Sequence, residues 1–512
     1  MGYREISLKL PTDYNEDELR KGIGKELGIQ EFSYQIENKS LDARKKENIH
    51  WLVRVLVLSG EVEGGVPLLS PSLEIPYRKR RERAVVVGSG PAGFFSAFIL
   101  QKAGFHTTII ERGTDVHKRA EGIREFEKTG VFNPVSNYAF GEGGAGTFSD
   151  GKLTSRSKHI SKERQFILAS YISAGAPEEI GYMAHPHLGS DNLRKIVRNL
   201  RDAFSDIGGS VLFETMLEDL KIKDGKVIEA ITTSGGIEAD YFIIAPGHSA
   251  YETYRMLIRR GVQFRTKNFA IGSRVEHPQE IINKAQWGRE RLPGVKAAEY
   301  RLTSPGDGNL PVYTFCMCPG GTVVPAAAYQ DTNIVNGMSL YMRDGKFANA
   351  ACVAGVHPDK LIGREALPEE ALDWLEALEQ SFYQYSDGFK APFCSIQNFI
   401  DRKEPTEIVE SSYPLELKPA ALWNLLPAEV SSSIREGLKD FSRKIKGFET
   451  GSIMGLESKT SSPIQVLREK DSRCTGFENL YMVGEGSGCA GGIISSGADG
   501  IKAAINIIEN NV

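Results

Sequence analysis

Apolar and polar positions alternate over residues 3–10 (YREISLKL) and again over 50–58 (HWLVRVLVL), the period of a strand with one face buried. Between them, 16–28 (EDELRKGIGKELG) repeats at helical spacing and stops at Gly28, and residues 31–38 supply a middle strand. Residues 1–66 are therefore expected to form a small β-α-β-β module that folds around its own core. The stretch 67–83 is a linker, because Pro67, Pro71 and Pro76 fix φ and cannot donate to a ladder. Its end carries Arg78, Lys79, Arg80, Arg81 and Arg83, either a solvated linker end or a patch for an anionic partner such as RNA.

From residue 84 the pattern changes to a fully apolar run, AVVV, then GSGPAG, then the apolar helix FFSAFILQKAG and a second strand, HTTIIE. A helix near 191–206, the strand VLFET, a hairpin turning at Asp224-Gly225 and the strand YFIIAPG follow, the alternation of a parallel, doubly wound sheet. Residues 256–461 mix strands such as VYTFCM with amphipathic helices such as EEALDWLEALEQSFYQY. The chain closes with NLYMVGEGSGCAGGIISSG, again strand, Gly-rich turn and helix. One α/β domain (84–255 and 462–512) is thus expected to be split by an inserted α+β domain (256–461).

Composition narrows the chemistry. A length of 512 residues suggests about three domains. With 62 Lys and Arg against 66 Asp and Glu, no strong positive field draws the molecule to nucleic acid, so a small-molecule substrate is the default. The N-terminus lacks the apolar core of a signal peptide, and no run approaches the roughly 18 apolar residues of a membrane span. A cytoplasmic protein with reduced thiols is expected, since the six Cys are sparse and form no metal-binding spacing.

The first motif with a mechanism is Gly88-Ser89-Gly90-Pro91-Ala92-Gly93, set between a buried strand and a helix, with Glu111 ending the next strand 18 positions after Gly93. Gly88 permits the tight turn, Gly90 admits a pyrophosphate, and Gly93 lets helix and strand approach. The helix N-terminus favours the phosphates, and Glu111, followed by Arg112, is placed to accept from ribose hydroxyls. This fingerprint serves NAD and FAD alike.

GSGPAG with IIERG, YFIIAPGHSA and NLYMVGEGSGCAGGI, in that order, resemble the FAD-containing superfamily of glutathione reductase. The resemblance implies noncovalent FAD. It places Ala245, Pro246 and Gly247 near the flavin, Gly484 and Glu485 at the ribityl chain (with Glu where the superfamily has Asp), and Gly491, Gly492 and Ile493 at the flavin edge or pyrophosphate. The whole chain, through IENKSLDARKK, FGEGGAGTFSDGKLTSR, HPHLGSDNL and FCMCPGGTVVPAAA, also resembles a bacterial family of FAD-dependent dehydrogenases of unassigned substrate. The implied fold is a split Rossmann-type FAD-binding domain with an inserted substrate domain and a ferredoxin-like N-terminal module. By the same resemblance Gly143, Gly144, Gly146 and Thr147 lie along the flavin, with Ser149 and Asp150 positioning the turn.

Lys152, His187, Cys316 and Cys318 are the candidates for catalysis, with His248 beside them. Lys152 is either a solvated lysine or a cation beside the flavin. His187 could donate a proton near neutral pH or cap a turn, and His248 offers the same choice. Cys316 and Cys318, two apart on a strand, should share a face, either as buried apolar thiols or as redox thiols. An extended backbone holds their Cα atoms near the upper limit of about 7 Å for a disulfide. The expected activity is FAD-dependent hydride transfer to or from a small organic substrate, with NAD(P)H as a visiting donor and the N-terminal module as a site for a protein partner. A flavin-dependent RNA-modifying enzyme and a noncatalytic FAD sensor are the competing readings.

Overall fold

In the computed structural model, which describes residues 2–65, 72–406 and 409–510, the alternation at the N-terminus becomes an antiparallel sheet. Strands β1 (Gly2–Leu10), β2 (Ser33–Asp42) and β3 (His50–Ser59) pair in the order β1-β3-β2, with helix α1 (Glu16–Leu27) laid across them. Asn15 and Glu18 cap α1 reciprocally, each side chain 3.0 Å from the other's amide, and Gly28 ends it with φ 69°. Leu8, Leu10, Leu19, Ile23, Trp51, Val53 and Val55 form the core. Among the described residues the module is the β-α-β-β unit expected, four of the six elements of a complete ferredoxin-like fold.

The module is also less separate than its linker suggests. The Lys39 amide donates to the Tyr182 carbonyl and the Ala184 amide to the Lys39 carbonyl, both at 2.9 Å, extending β2 by a short parallel bridge. Leu41 and Ile49 pack on the core of the inserted domain, and Val295 of that domain packs on the module. Removing residues 1–66 should expose these surfaces and leave residues 67–512 with a lower melting temperature and a tendency to aggregate. Thermal denaturation with light scattering checks this, and an unchanged melting curve would show the contacts to be weak.

Pro67 and Pro71 lie outside the described residues. The cation run does not form one patch: Arg80 is buried, its guanidinium 4.5 Å from the centre of the Phe105 ring, and the Arg83 guanidinium lies 3.7 Å from Glu238. Strands β4 (Arg83–Val87), β5 (His106–Ile110) and β6 (Ser210–Leu212) continue a five-stranded parallel sheet whose other edge is Tyr241–Ile244 and then Leu480–Met482. Ala84 and Val86 face helix α2 (Pro91–Lys102) and the final helix Ile493–Glu509, while Val85 and Val87 face a three-stranded meander over residues 217–238. Layers on both faces explain why β4 is apolar without alternation. The meander's first turn has Asp224 and Gly225 both at positive φ, the backbone of a tight hairpin.

Because Leu480–Met482 pairs with Tyr241–Ile244, the chain between them is an excursion. Its seven-stranded sheet runs Thr303–Ser304, Val312–Cys318, Phe347–Val356, Phe269–Pro278, Ser452–Glu457, Ala391–Ser395, Leu417–Pro419. Phe269–Pro278 is central and almost wholly buried, yet it carries Ser273, Arg274, Glu276 and His277. Among the described residues no helix is long and apolar enough to cross a membrane, and no group of three or more His, Cys, Asp or Glu could hold a metal ion.

Candidate functional site

Five glycine-rich segments meet at the N-terminus of α2. Gly88 (φ 97°) turns the chain so closely under Ala245 that a Cβ would lie 2.2 Å from that residue's carbonyl oxygen, and a Cβ at Gly93 would lie 1.9 Å from the oxygen of Gly88. Gly90 differs: its Cβ would meet only the Gly144 Cα, at an ordinary contact distance of 3.6 Å. Pro91 and Ala92 open α2, and a Cβ on Gly484 would touch Ala92. Gly146 lies against Ile493, the first residue of the final helix, and Gly491 and Gly492 enter that helix. A Cβ at Gly247 or Gly492 would meet nothing within 4 Å. Neither helix has a side-chain cap, so two positive helix ends face the same open ground. A cleft starts here, lined among others by Ser89, Pro91, Gly143, Gly146, Thr147 and Ile493.

Several side chains brace this cradle. Glu111, expected at a ribose, is engaged by the protein: one carboxylate oxygen accepts from the Ser89 amide at 3.0 Å and hydroxyl at 2.7 Å, the other from the amides of Gly113 and Gly141 at 2.9 and 3.1 Å. Arg112 pairs with Glu252 at 2.5 Å and lies 3.8 Å over the Phe140 ring. Arg119, missed in the sequence, is wholly buried and donates to the carbonyls of Asn137, Tyr138, Gly141, Glu142 and Gly144 at 2.8–3.2 Å. One guanidinium thus shapes the loop that carries Gly143 and Gly144, while the buried Thr147 donates to the Glu142 carbonyl at 3.3 Å. Asp499, also missed, accepts from the Gly484 amide at 2.8 Å and holds Arg468.

Next to the cradle lies a cluster of charges drawn from both domains. Asp150 is fully buried and receives Arg343 in two hydrogen bonds, at 2.5 and 3.0 Å, as well as the Ser339 hydroxyl. Lys152 is 3.2 Å from Asp150 and 3.3 Å from Glu299, so it is an ion-paired lysine rather than a solvated one. Burial opposes the charge on Asp150, but Lys152 and Arg343 outweigh it and hold the carboxyl well below its usual range. Burial likewise works against the Lys152 ammonium, and Asp150 more than restores it. Ser155, three residues on, touches Ser495 in the first turn of the final helix at 3.3 Å. The Lys152 segment therefore passes the rim of the cradle.

His187 pairs with Lys152 through an isolated β-bridge, and its Nε2 is 3.0 Å from the Tyr341 carbonyl. Burial and then Arg343 lower its pKa to about 4. The imidazole is neutral at pH 7, which corrects the expectation of a proton donor working near neutrality. His248 Nδ1 is 3.4 Å from Glu485, and its buried Nε2 has no partner.

Cys316 and Cys318 do not sit on a regular strand. Phe315 pairs with Ala351 but Cys318 with Asn349, a bulge, and Cys316 has φ 44°. Arg274, wholly buried, is within 2.6 Å of Glu457, 2.7 Å of the Cys316 carbonyl and 3.6 Å of Cys318 Sγ. Arg274, Glu299, Arg343 and Glu457 carry no motif, and the fold alone brings Glu299 and Arg343 to Asp150 and Lys152, and Arg274 with Glu457 to the two cysteines.

The open glycine cradle, the two uncapped helix ends and the unpartnered His248 Nε2 fit an extended dinucleotide. Comparison with known proteins agrees. Residues 81–245 match an FAD binding domain, 268–460 the C-terminal domain of an FAD-dependent protein, and 3–58 a domain of unknown function. An uncharacterized protein of Clostridium beijerinckii is 38% identical over 527 residues, covering 98% of both chains. Among solved structures, glycine oxidase from Bacillus cereus (12% identity, 84% of this chain and 96% of that one, TM-score 0.34) and L-proline dehydrogenase from P. horikoshii (11%, 85% and 94%, 0.35) are similar, but likenesses this distant assign no reaction. With an FAD binding domain in place and near-complete coverage at 38% identity, the chain is an FAD-binding flavoprotein and belongs to the same family as the Clostridium beijerinckii protein.

Proposed function

We propose that the protein is an FAD-dependent oxidoreductase that moves a hydride between flavin N5 and a small organic substrate, with NADH or NADPH as a visiting donor. The observation that carries this reading is the cluster of buried Asp150 and Arg343 with half-buried Lys152 and Glu299, shared between the nucleotide-binding segment and the inserted domain and reaching toward the final helix through Ser155. FAD supplies the two-electron chemistry when bound. Gly90, Gly247 and Gly492 give its backbone-facing groups room, and the two helix ends offset phosphate charge. Asp150, itself held by Arg343, fixes Lys152 in place, and the neutral His187 can pass or accept a proton only through its ring nitrogens. The N-terminal module is proposed as a docking site for a protein partner, and the cytoplasm as the compartment.

Anaerobic bleaching of the bound flavin by a metabolite panel that includes NADH and NADPH tests the activity. If no donor bleaches it, the noncatalytic FAD sensor is the better reading. Lys152→Met removes one positive charge from a balanced cluster of two acids and two bases, so it should disfavour the negative charge that reduction puts on the flavin. About 1.4 kcal/mol corresponds to roughly 30 mV for a two-electron couple, and a midpoint potential lower by tens of millivolts is expected with FAD still bound. Equal potentials in a redox titration of both proteins would remove Lys152 from the flavin.

A further inference from the structure

The bulge at residues 315–318 removes the objection that an extended strand raises against pairing Cys316 with Cys318. One extra residue is inserted opposite Asn349–Ala351, and Cys316 adopts the left-handed backbone (φ 44°), an uncommon conformation for a residue that is not glycine. A turn of this kind draws the flanking residues together. The Cys318 thiol accordingly reaches back and donates to the Cys316 carbonyl at 3.3 Å.

The surroundings are cationic and asymmetric. Arg274 lies against both residues, and the charge of Lys152 bears on Cys316 as well. Cys318 first, then Arg274 and Lys152, bring the Cys316 thiol down to about 7 in spite of burial. Cys316 is partly exposed, whereas Cys318 is fully buried. Elsewhere in the chain Cys352, Cys394 and Cys474 are buried, and desolvation pushes each thiol up to about 12. Cys489 is exposed and stands apart from this cluster.

We propose that Cys316 and Cys318 are a redox-active dithiol that exchanges with a low-molecular-weight disulfide. The Cys316 thiolate attacks one sulfur of the disulfide RSSR, forming a mixed disulfide and releasing RS⁻. Cys318 then attacks the Cys316 sulfur and expels the second RS⁻, which takes the Cys318 proton and leaves as RSH, while the first RS⁻ takes back from solvent the proton that Cys316 had released. In sum, the protein dithiol is oxidised by two electrons and RSSR is reduced to two RSH. The exposed thiol attacks and the buried one resolves, and neither step draws on the proposed flavin reaction.

The test uses the full-length, FAD-loaded protein and oxidised glutathione as the probe, with alkylation and peptide mapping after acid quenching. Expected is the joint loss of Cys316 and Cys318 from the alkylated pool, one linkage between them, and recovery of both on adding reduced glutathione. Cys318→Ser should instead accumulate glutathione on Cys316, and Cys316→Ser should leave Cys318 unmodified, each with the flavin absorbance of the parent protein. Iodoacetamide should alkylate Cys316 with a pH midpoint near 7. The mapping on the unmodified sequence decides even if a variant misfolds. Both thiols remaining free at a glutathione excess that fully modifies Cys489, or either one linking to a different cysteine, would overturn the proposal.

Discussion

Gly90→Trp should give a folded but colourless protein, whereas Gly93→Ala, a far smaller change three residues on, should give little folded protein at all. The contrast comes from what each Cβ meets. At Gly93 the nearest atom is the Gly88 carbonyl oxygen at 1.9 Å, a backbone atom of the tight turn itself, with Val86 behind it at 3.3 Å. Neither can move without parting α2 from β4. Overpacking of this kind costs roughly 3 kcal/mol or more, a large share of the 5–15 kcal/mol that holds a domain. At Gly90, the residue before α2, the Cβ meets only the Gly144 Cα, at an ordinary contact distance of 3.6 Å, so the backbone tolerates a side chain and the indole takes up the space at the helix end that the cofactor needs. Circular dichroism and flavin absorbance of the two purified variants separate the effects. A yellow Gly90→Trp protein with FAD at one per chain would move the pyrophosphate away from this turn.

How much of this could be read beforehand depends on whether the information was local. The GSGPAG turn was legible because strand, glycines and helix follow one another, and the apolar β4 because its two covered faces leave no alternation. Arg119 was legible in part. It stands with Val116, Ile123 and Phe126 on the buried stripe of its helix, and a cation at such a position needs buried acceptors, though nothing nearby says that they are the carbonyls of a glycine loop. Arg343 and Glu299 were not legible, since no spacing ties residue 343 or 299 to 150 and only the docking of the inserted domain brings them together. The stretch VYTFCMC alternates like a plain strand, and the bulge at Cys316 is imposed by pairing with Phe347–Val356 and by the carbonyl contact to Arg274. The acid after the second strand was found by its position and expected at a ribose, but the partners of Glu111 are amides and a hydroxyl of this chain, contacts that the spacing alone does not show.

Acid should destabilise the protein well before its carboxylates titrate. His187 and His277 are both buried neutral, each with a pKa lowered to about 4, chiefly by desolvation. In the unfolded chain both return to about 6.5. Between pH 6.5 and 4 the unfolded state therefore binds more protons than the folded one, so stability is complete above pH 6.5 and drains away as pH falls through that window. Each shift of about 2.5 units is worth roughly 3 kcal/mol. His187 belongs to the charged cluster, where Asp150 favours its proton and Arg343 opposes it, so His277 is the cleaner probe. Its Nε2–H donates to the Phe448 carbonyl at 2.8 Å, its Nδ1 has no partner, and it lies 4.4 Å from the Phe448 ring centre. A glutamine at 277 can keep the donor but cannot titrate. Urea unfolding followed by tryptophan fluorescence, with FAD in excess, should show the midpoint falling steadily from pH 7.5 to 4.5 in the parent, and His277→Gln should lose about half of that slope. A midpoint constant down to pH 5 would mean that the imidazoles find protons or water in the folded state.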